Sequence, residues 1–360
     1  MHSDSSRSSA PGRTALTLAL LFIFGTGVGL AAAEILARAT WRAEIAPARR
    51  KPPPADHLET LEESVWVLAA PGVEGIYRGG YFHNNSAGFR GPEYAKTAAP
   101  GVLRIAVVGD SVTMGSGVSN DETYSALLGD LLARRLPGEK FEVLNFGLSG
   151  LNIEMVYQRT RKLVTSFHPD MIVYGFTLND LEGEGYRTNR RDSGGVEERK
   201  RYHRFADSRS YLLRLMWPRL QSLRDLISPP PQSYLAELQF NYFNNPPVWD
   251  RFKADLTKLA NLAKQEDTPL VVFIHTTLAY LNWFHPYQPY YARMESVAAA
   301  LGLPVIESLS VHRGYAAESL WVNAVDPHPN AEGHRLLARA LADGIASLPA
   351  ELRTPHARKP

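Results

Sequence analysis

The 360-residue chain contains no cysteine. That excludes disulfides, thiolate metal sites and a cysteine nucleophile, and leaves the redox compartment open. An excess of charge of either sign is also missing: 39 Lys and Arg face 37 Asp and Glu, a formal net charge of +2. No basic stripe interleaves with aromatics, so no nucleic-acid partner is expected. Nucleotide-binding fingerprints are absent as well. Gly115-Ser116-Gly117 lacks the third glycine of a dinucleotide loop and the Gly-Lys-Ser/Thr of a P-loop, so no organic cofactor is expected. No internal repeat is visible. Long apolar runs are scarce, and the one that exists is terminal.

That run, Ala15 to Ala33, carries no charge and follows Arg7 and Arg13. It is long enough to cross a bilayer as a helix and longer than an ordinary signal-peptide core. Residues 14–36 are therefore read as a transmembrane anchor behind a tail at 1–13. Ala31-Ala32-Ala33 offers a cleavage site for the alternative, a secreted chain. Arg38, Arg42, Arg49, Arg50 and Lys51 follow the run, and a strict count of basic residues would hold the next domain in the cytoplasm. The short N-terminal tail carries its own amino group and offsets that count. A domain outside the cytoplasmic membrane is the expectation.

Residues 37–100 read as a juxtamembrane connector. Pro47 and Pro52-Pro53-Pro54 suit no helix or central strand. Within it, Tyr81–Tyr94 reads as a turn-rich loop with an aromatic anchor. From residue 101 short apolar runs alternate with helically spaced segments. Ile105–Val108, Phe141–Phe146, Met171–Phe176, Leu270–Ile274 and Val305–Ile306 suit buried parallel strands. Tyr124, Leu127, Leu128, Leu131 and Leu132 recur at helical steps, as do Leu336, Leu337, Ala340, Leu341 and Ile345. The alternation predicts an α/β domain over 101–348 with a parallel sheet of about five strands, and a tail at 349–360. The insertion 182–250 interrupts it, charged at first and then aromatic at Tyr234, Phe240, Tyr242, Phe243 and Trp249. It reads either as a cap that contacts substrate or as a helical decoration with a solvated face.

Four polar blocks stand where strands should end. Gly109-Asp110-Ser111 closes the first strand and precedes a helix, where a serine hydroxyl and free backbone N–H groups coincide. Asn145-Phe146-Gly147 closes the second, and Thr177-Leu178-Asn179-Asp180 the third. Asp326-Pro327-His328-Pro329-Asn330 precedes the last helix. Ser111 needs a base to become a nucleophile, and His328 can serve if a carboxylate orients it. Asp326 lies two residues away, and the flanking prolines favour an extended chain in which both side chains project to one side. The N–H groups of Ser111 and Gly147 and the Asn179 amide would make an oxyanion hole. Asp110 and Asp180 read as supports for their loops, Asn330 as a helix N-cap, and His334 as part of the last helix. Each block alone is an ordinary turn or cap; their order along the chain distinguishes them.

In that order the four blocks resemble the SGNH hydrolases, also called GDSL-type esterases and lipases, over about residues 101–348. The resemblance implies a flavodoxin-like three-layer α/β/α fold. It implies Ser111 as nucleophile, His328 as general base and Asp326 as its partner, with Ser111, Gly147 and Asn179 as oxyanion donors. Two positions depart from the family pattern. Thr177 replaces the glycine of Gly-x-Asn-Asp, and the usual Asp-x-x-His spacing would place the acid at Val325, one residue before Asp326. The segment Asn85 to Tyr94, taken with the apolar terminus, is similar to a bacterial membrane-anchored subgroup.

The activity expected is hydrolysis of a short acyl or acetyl ester of a small molecule, carbohydrate or lipid through an acyl-serine. An O-acetyltransferase acting on an envelope polysaccharide would use the same site. A non-catalytic envelope-binding protein on the same fold is a third reading. A metallohydrolase using Asp326, His328 and His334 is disfavoured, because no His-x-x-x-His or cysteine cluster accompanies them.

Overall fold

The structure is a computed structural model that describes residues 11–40, 65–181, 208–228, 234–281, 285–323 and 326–355. Much of the expected connector (41–64), the charged opening of the insertion (182–207), Val325 and the end of the C-terminal tail lie outside the described residues. The terminal apolar run forms α1 (Pro11–Thr40), in which Thr17–Ala39 is long and apolar enough to cross a membrane or to serve as a signal sequence.

A short turn α2 (Val65–Leu68) leads into a hairpin of β1 (Glu74–Tyr77) and β2 (Gly80–His83). Its loop has two residues, Arg78 and Gly79, both in the left-handed region with φ of 49° and 90°. Positive φ at both loop positions defines the turn whose twist matches an antiparallel pair. Glycine accepts this freely; Arg78 accepts it at some steric cost.

The sheet is built from β3 (Val102–Gly109), β4 (Lys140–Asn145), β5 (Met171–Phe176), β6 (Leu270–Ile274) and β7 (Val305–Glu307). Its order is β4-β3-β5-β6-β7, and every pairing is parallel. This is the flavodoxin-like order, with the chain reversing its winding direction beside β3. Alternate residues serve opposite faces, as the two-residue period requires. On β3, Leu103, Ile105 and Val107 face one core with α4 (Tyr124–Arg135), while Ala106 and Val108 face the other.

The first core is closed by α4 and the final helix, α11 (Ala331–Ser347), whose Leu337, Leu341 and Ile345 meet the sheet. The second is closed by α5 (Ile153–Arg159), α8 (Pro246–Gln265) and α9 (Gln288–Ala300). Between β5 and α8 stand α6 (Tyr211–Ile227) and α7 (Tyr234–Gln239). A one-turn helix α3 (Ser111–Met114) follows β3, and α10 (Leu309–His312) follows β7. A small ladder of β8 (Trp321–Asn323) and β9 (Asp326–Pro329) stands outside the main sheet.

Two stretches behave differently from their sequence reading. Residues 65–94 are not only a connector: Leu68, Tyr77, Phe82 and Phe89 are buried in the second core, and Phe89 packs against Phe146 with ring centroids 4.3 Å apart. The short apolar residues there are too few to signal a strand pair, yet together they cover one core edge. Within the insertion, Tyr242 and Trp249 are likewise core residues: Trp249 stacks on Phe252 and Tyr242 meets Tyr290 edge-on.

Leu341 is fully buried against the sheet. Leu341→Ala should cost about 2–5 kcal/mol of stability by deleting buried methyl groups and leaving a cavity. Urea unfolding measures this, and turnover per folded molecule should be unchanged.

Candidate active site

The site lies beyond the C-terminal ends of β3 and β5, at the reversal point of the sheet. There β3 ends at Gly109, whose φ of 158° brings its backbone against Thr113 and Gly175; an added Cβ would stand 2.3 Å from Thr113 Oγ1. Asp110 then caps α3, its Oδ1 accepting the Val112 N–H at 3.0 Å. Ser111 is the first residue of that turn, so its N–H has no intrahelical acceptor. Gly147 packs directly on the same turn: a Cβ there would lie 2.3 Å from Met114 N, so no side chain fits.

Across the site, β9 holds Asp326 and His328 in extended backbone, with Pro327 between them and Pro329 after, which puts their side chains on one side. His328 Nε2 stands 2.9 Å from Ser111 Oγ, and Nδ1 stands 2.5 Å from Asp326 Oδ1. Asp326 Oδ1 also accepts the His328 backbone N–H at 3.1 Å. A carboxylate facing Nδ1 requires the proton on that nitrogen, which leaves the Nε2 lone pair aimed at the serine hydroxyl. Asn330 then starts α11, its Oδ1 accepting N–H groups of Glu332 and Gly333 at 3.1 Å.

A residue that the sequence reading missed completes this group. Arg78, at the tip of the β1–β2 hairpin, donates to Asp326 Oδ2 at 2.7 Å. It also lies 3.4 Å from His328 Nδ1, but two donors face each other there and form no hydrogen bond. The left-handed backbone of Arg78 is the conformation that brings its side chain to the carboxylate. Burial works to raise the Asp326 pKa, but the bonds and charge of His328 and the charge of Arg78 hold it well below the usual carboxylate range. The sequence signal was the Arg-Gly-Gly turn between Tyr77 and Tyr81, a two-residue hairpin pattern.

Arg90 is the second missed residue. Its guanidinium is buried, and all five N–H groups meet oxygen. Nε donates to Asn120 Oδ1 at 2.7 Å; Nη1 donates to the carbonyls of Met114 and Gly115 at 2.8 and 2.6 Å; Nη2 donates to Tyr81 O at 2.8 Å and to Val118 O. It therefore holds the last carbonyl of α3 and the loop after it. Burial lowers its pKa to about 9, opposed by the charges of Glu122 and Asp121. It remains a cation at neutral pH.

The third strand end carries Asn179 and two carboxyl groups. Asn179 Nδ2 donates to Asp110 Oδ2 at 3.4 Å, a bond that uses one of its two N–H groups. Thr177 Oγ1 is 2.9 Å from Asp110 Oδ2 and 3.0 Å from Asp180 Oδ1. The one hydroxyl proton of Thr177 is shared between the two carboxyl groups. Burial and the Asp110 charge raise the Asp180 pKa well above the ordinary value, burial raises that of Asp110 too, and Tyr174 donates to Asp180 Oδ2 at 2.5 Å. Asp110 accepts from Val112, Thr177 and Asn179. The threonine standing in the family's glycine position supplies the bridge between the two acids.

Gly147 is brought to the site, but its N–H donates to Asn145 Oδ1 at 3.0 Å. Asn145 also donates to Thr113 O at 2.9 Å, fastening β4 to the serine turn. The turn around Asn179 is braced by Tyr242, whose hydroxyl donates to Leu178 O at 3.2 Å. His334 is fully buried; its Nδ1 accepts the Tyr124 N–H at 3.2 Å, so it belongs to the α4–α11 packing. Among the described residues no group of three His, Asp or Glu is placed to hold a metal ion.

The model of the GDSL-like lipase/acylhydrolase family matches residues 107–336. Solved structures with a similar fold include a catalytic mutant of Axe2, an acetylxylan esterase from Geobacillus stearothermophilus (16% identity, TM-score 0.41), covering 68% of this chain and 94% of that one. Another is TesA (17% identity, TM-score 0.38), covering 68% and 98%. A third is LAE5, an alpha/beta hydrolase enzyme from the metagenome of Lake Arreo, Spain (18% identity, TM-score 0.41), covering 69% and 96%. No curated protein matches the chain.

Arg90→Lys leaves carbonyl groups of the serine turn without donors. Stability should fall by on the order of 3 kcal/mol, and kcat/KM by about 100-fold as the hydroxyl loses its position. Urea unfolding and ester turnover read the two effects separately. A pH effect follows from Asp326. Its folded pKa lies below the ordinary value of about 4, so its stabilising contribution is full above that value and is lost as pH falls through the lower one. Asp326→Asn should lower Tm at neutral pH, and the gap to the parent protein should close only in strong acid.

Proposed function

The chain belongs to the GDSL-like lipase/acylhydrolase family, serine hydrolases acting on esters, and we propose that it cleaves short acyl esters through an acyl-serine on Ser111. The observation that carries this reading is the continuous chain from Ser111 Oγ through the His328 ring to Asp326. In the first step the Ser111 oxygen attacks the ester carbonyl carbon while His328 Nε2 takes the hydroxyl proton. The ester C–O bond then breaks, and His328 returns that proton to the departing alkoxide. Water repeats the sequence on the acyl-serine, with His328 as base again, and releases the acid.

Asp326 holds the Nδ1 proton and stabilises the imidazolium in both steps. Arg78 positions Asp326 through its other oxygen. The oxyanion is read as accepting from the Ser111 N–H and from the free Asn179 N–H, with Gly147 as the third donor. Because Gly147 N–H is held by Asn145, its contribution requires that bond to be shared or exchanged when the negative charge develops.

We read α1 as an uncleaved membrane anchor and place the catalytic domain outside the cytoplasmic membrane. The uncharged run from Thr14 to Ala33 supports the anchor by length. Transfer of the acyl group to a sugar hydroxyl in place of water would need no change in the site.

Ser111→Ala should abolish fluorophosphonate labelling and lower p-nitrophenyl acetate turnover by about 1000-fold or more. Retained labelling of that variant would remove Ser111 from the role. Addition of O-acetylated and unacetylated polysaccharide then separates release of free acid from transfer.

A further inference from the structure

We propose that α6 lies in the surface of the same bilayer that α1 crosses, as an interfacial helix on a membrane containing anionic lipid. The inference rests on the reading of α1 as a spanning anchor and goes beyond it, since one spanning helix alone leaves the catalytic domain free to swing.

The first observation is an exposed apolar stripe. Leu213, Leu220, Leu223 and Ile227 are 42%, 50%, 43% and 76% exposed. At 3.6 residues per turn these four positions fall within an arc of about 80°. The half-buried Met216 shares that arc. Along one border stand Arg224, which is exposed, and Trp217, whose position suits the headgroup level. Gln221, on the adjoining face, is buried against the protein. An apolar stripe bordered by basic and aromatic residues is the composition of a helix lying along a membrane surface. Exposure to water on this scale is unfavourable for four large aliphatic side chains.

The second observation fixes where α6 begins. Glu34 is the first charged residue after the uncharged run, so it marks the boundary of the hydrocarbon layer on that side. Its carboxylate accepts the Ser210 hydroxyl at 2.8 Å and the N–H groups of Tyr211 and Leu212 at 2.9 Å each. Those are the cap and first two residues of α6, whose free N–H groups and helix dipole favour an anion. One turn further along α1, Arg38 donates to Arg209 O at 3.2 Å and lies over the Tyr211 ring. Ala37, on the same face, is buried. The start of α6 is thereby held at the depth where α1 leaves the hydrocarbon. Arg38 and Arg214 stand near it, both over the Tyr211 ring, and Arg224 lies in the last turn of the same helix; these cations suit anionic headgroups.

Held at that level, the stripe of α6 buries in the acyl boundary, and the protein is attached at two elements instead of one. The site would then stand at a set distance and orientation above the bilayer.

The absence of native cysteine allows single-label tests on the full chain. Leu220→Cys, Leu21→Cys and Ala133→Cys are each labelled with an environment-sensitive fluorophore and reconstituted in vesicles of phosphatidylcholine and phosphatidylglycerol. Turnover of p-nitrophenyl acetate confirms folding of each variant. The label at 220 should emit to the blue of the label at 133, lose its emission to spin-labelled lipid, and resist aqueous iodide. If the label at 21 is quenched by lipid while that at 220 behaves like that at 133, the placement of α6 is wrong and the anchor stands. If neither is quenched by lipid, both readings fall. Protection from iodide at 220 without quenching by lipid would mean that protein covers the stripe, and would also overturn the proposal.

Discussion

The buried guanidinium of Arg90 is the constraint on which the serine turn depends. A cation taken out of water is costly unless every donor is met. Here the five N–H groups are met by four backbone carbonyls and the Asn120 side chain. Two of those carbonyls, of Met114 and Gly115, end the one-turn helix that begins at Ser111. A single helical turn cannot hold itself, because one turn fixes several dihedrals for very few internal hydrogen bonds. Arg90 supplies from outside what that turn lacks. The same side chain reaches Tyr81 in the hairpin, so it joins the N-terminal extension to the serine turn.

The candidate site is consequently made from three parts of the chain that are far apart in sequence, one of them β9 with Asp326 and His328. Strand ends of the parallel sheet supply Ser111, Gly147 and Asn179. The hairpin of residues 74–83 supplies Arg78 to the carboxylate of Asp326. Around them the acids are shifted in opposite directions: His328 and Arg78 favour the charged form of Asp326, whereas burial and Asp110 oppose the charge of Asp180. Thr177 carries the hydrogen bond between Asp180 and Asp110. Asp110 in turn holds one hydrogen of Asn179, which fixes the plane of that amide.

Much of the fold could be read from periodicity. Uninterrupted apolar runs of four to six residues announced strands buried on both faces, and leucines at three- and four-residue steps announced α4 and α11. The four polar blocks were legible because each closes an apolar run, where side chains must face solvent or a cleft. Asp326 and His328 were legible as a candidate pair because Pro327 and Pro329, on either side of the histidine, leave the chain little choice but extension. The hairpin was less legible. Its strands have four residues each, and the alternation that marks a half-buried strand needs a longer stretch to stand out. Tyr242 and Trp249 were read as part of an insertion that caps the site or decorates the fold, since polarity nearby obscured the fact that both are buried in the core, where Tyr242 also donates to Leu178 O.

The sequence by itself determined the order of strands and helices, the position of a serine at a strand end, the extended Asp-Pro-His-Pro segment and the terminal apolar helix. Each of these follows from neighbours within a few residues, through backbone sterics and the two helical and pleated periods. Only the tertiary structure decided that Arg78 meets Asp326, 248 positions away, that Arg90 holds the serine turn, that Gly147 donates to Asn145, and that Glu34 caps α6. These are single polar contacts between distant segments. A buried charge must find its partners wherever the packed chain places them, and no local pattern encodes that place.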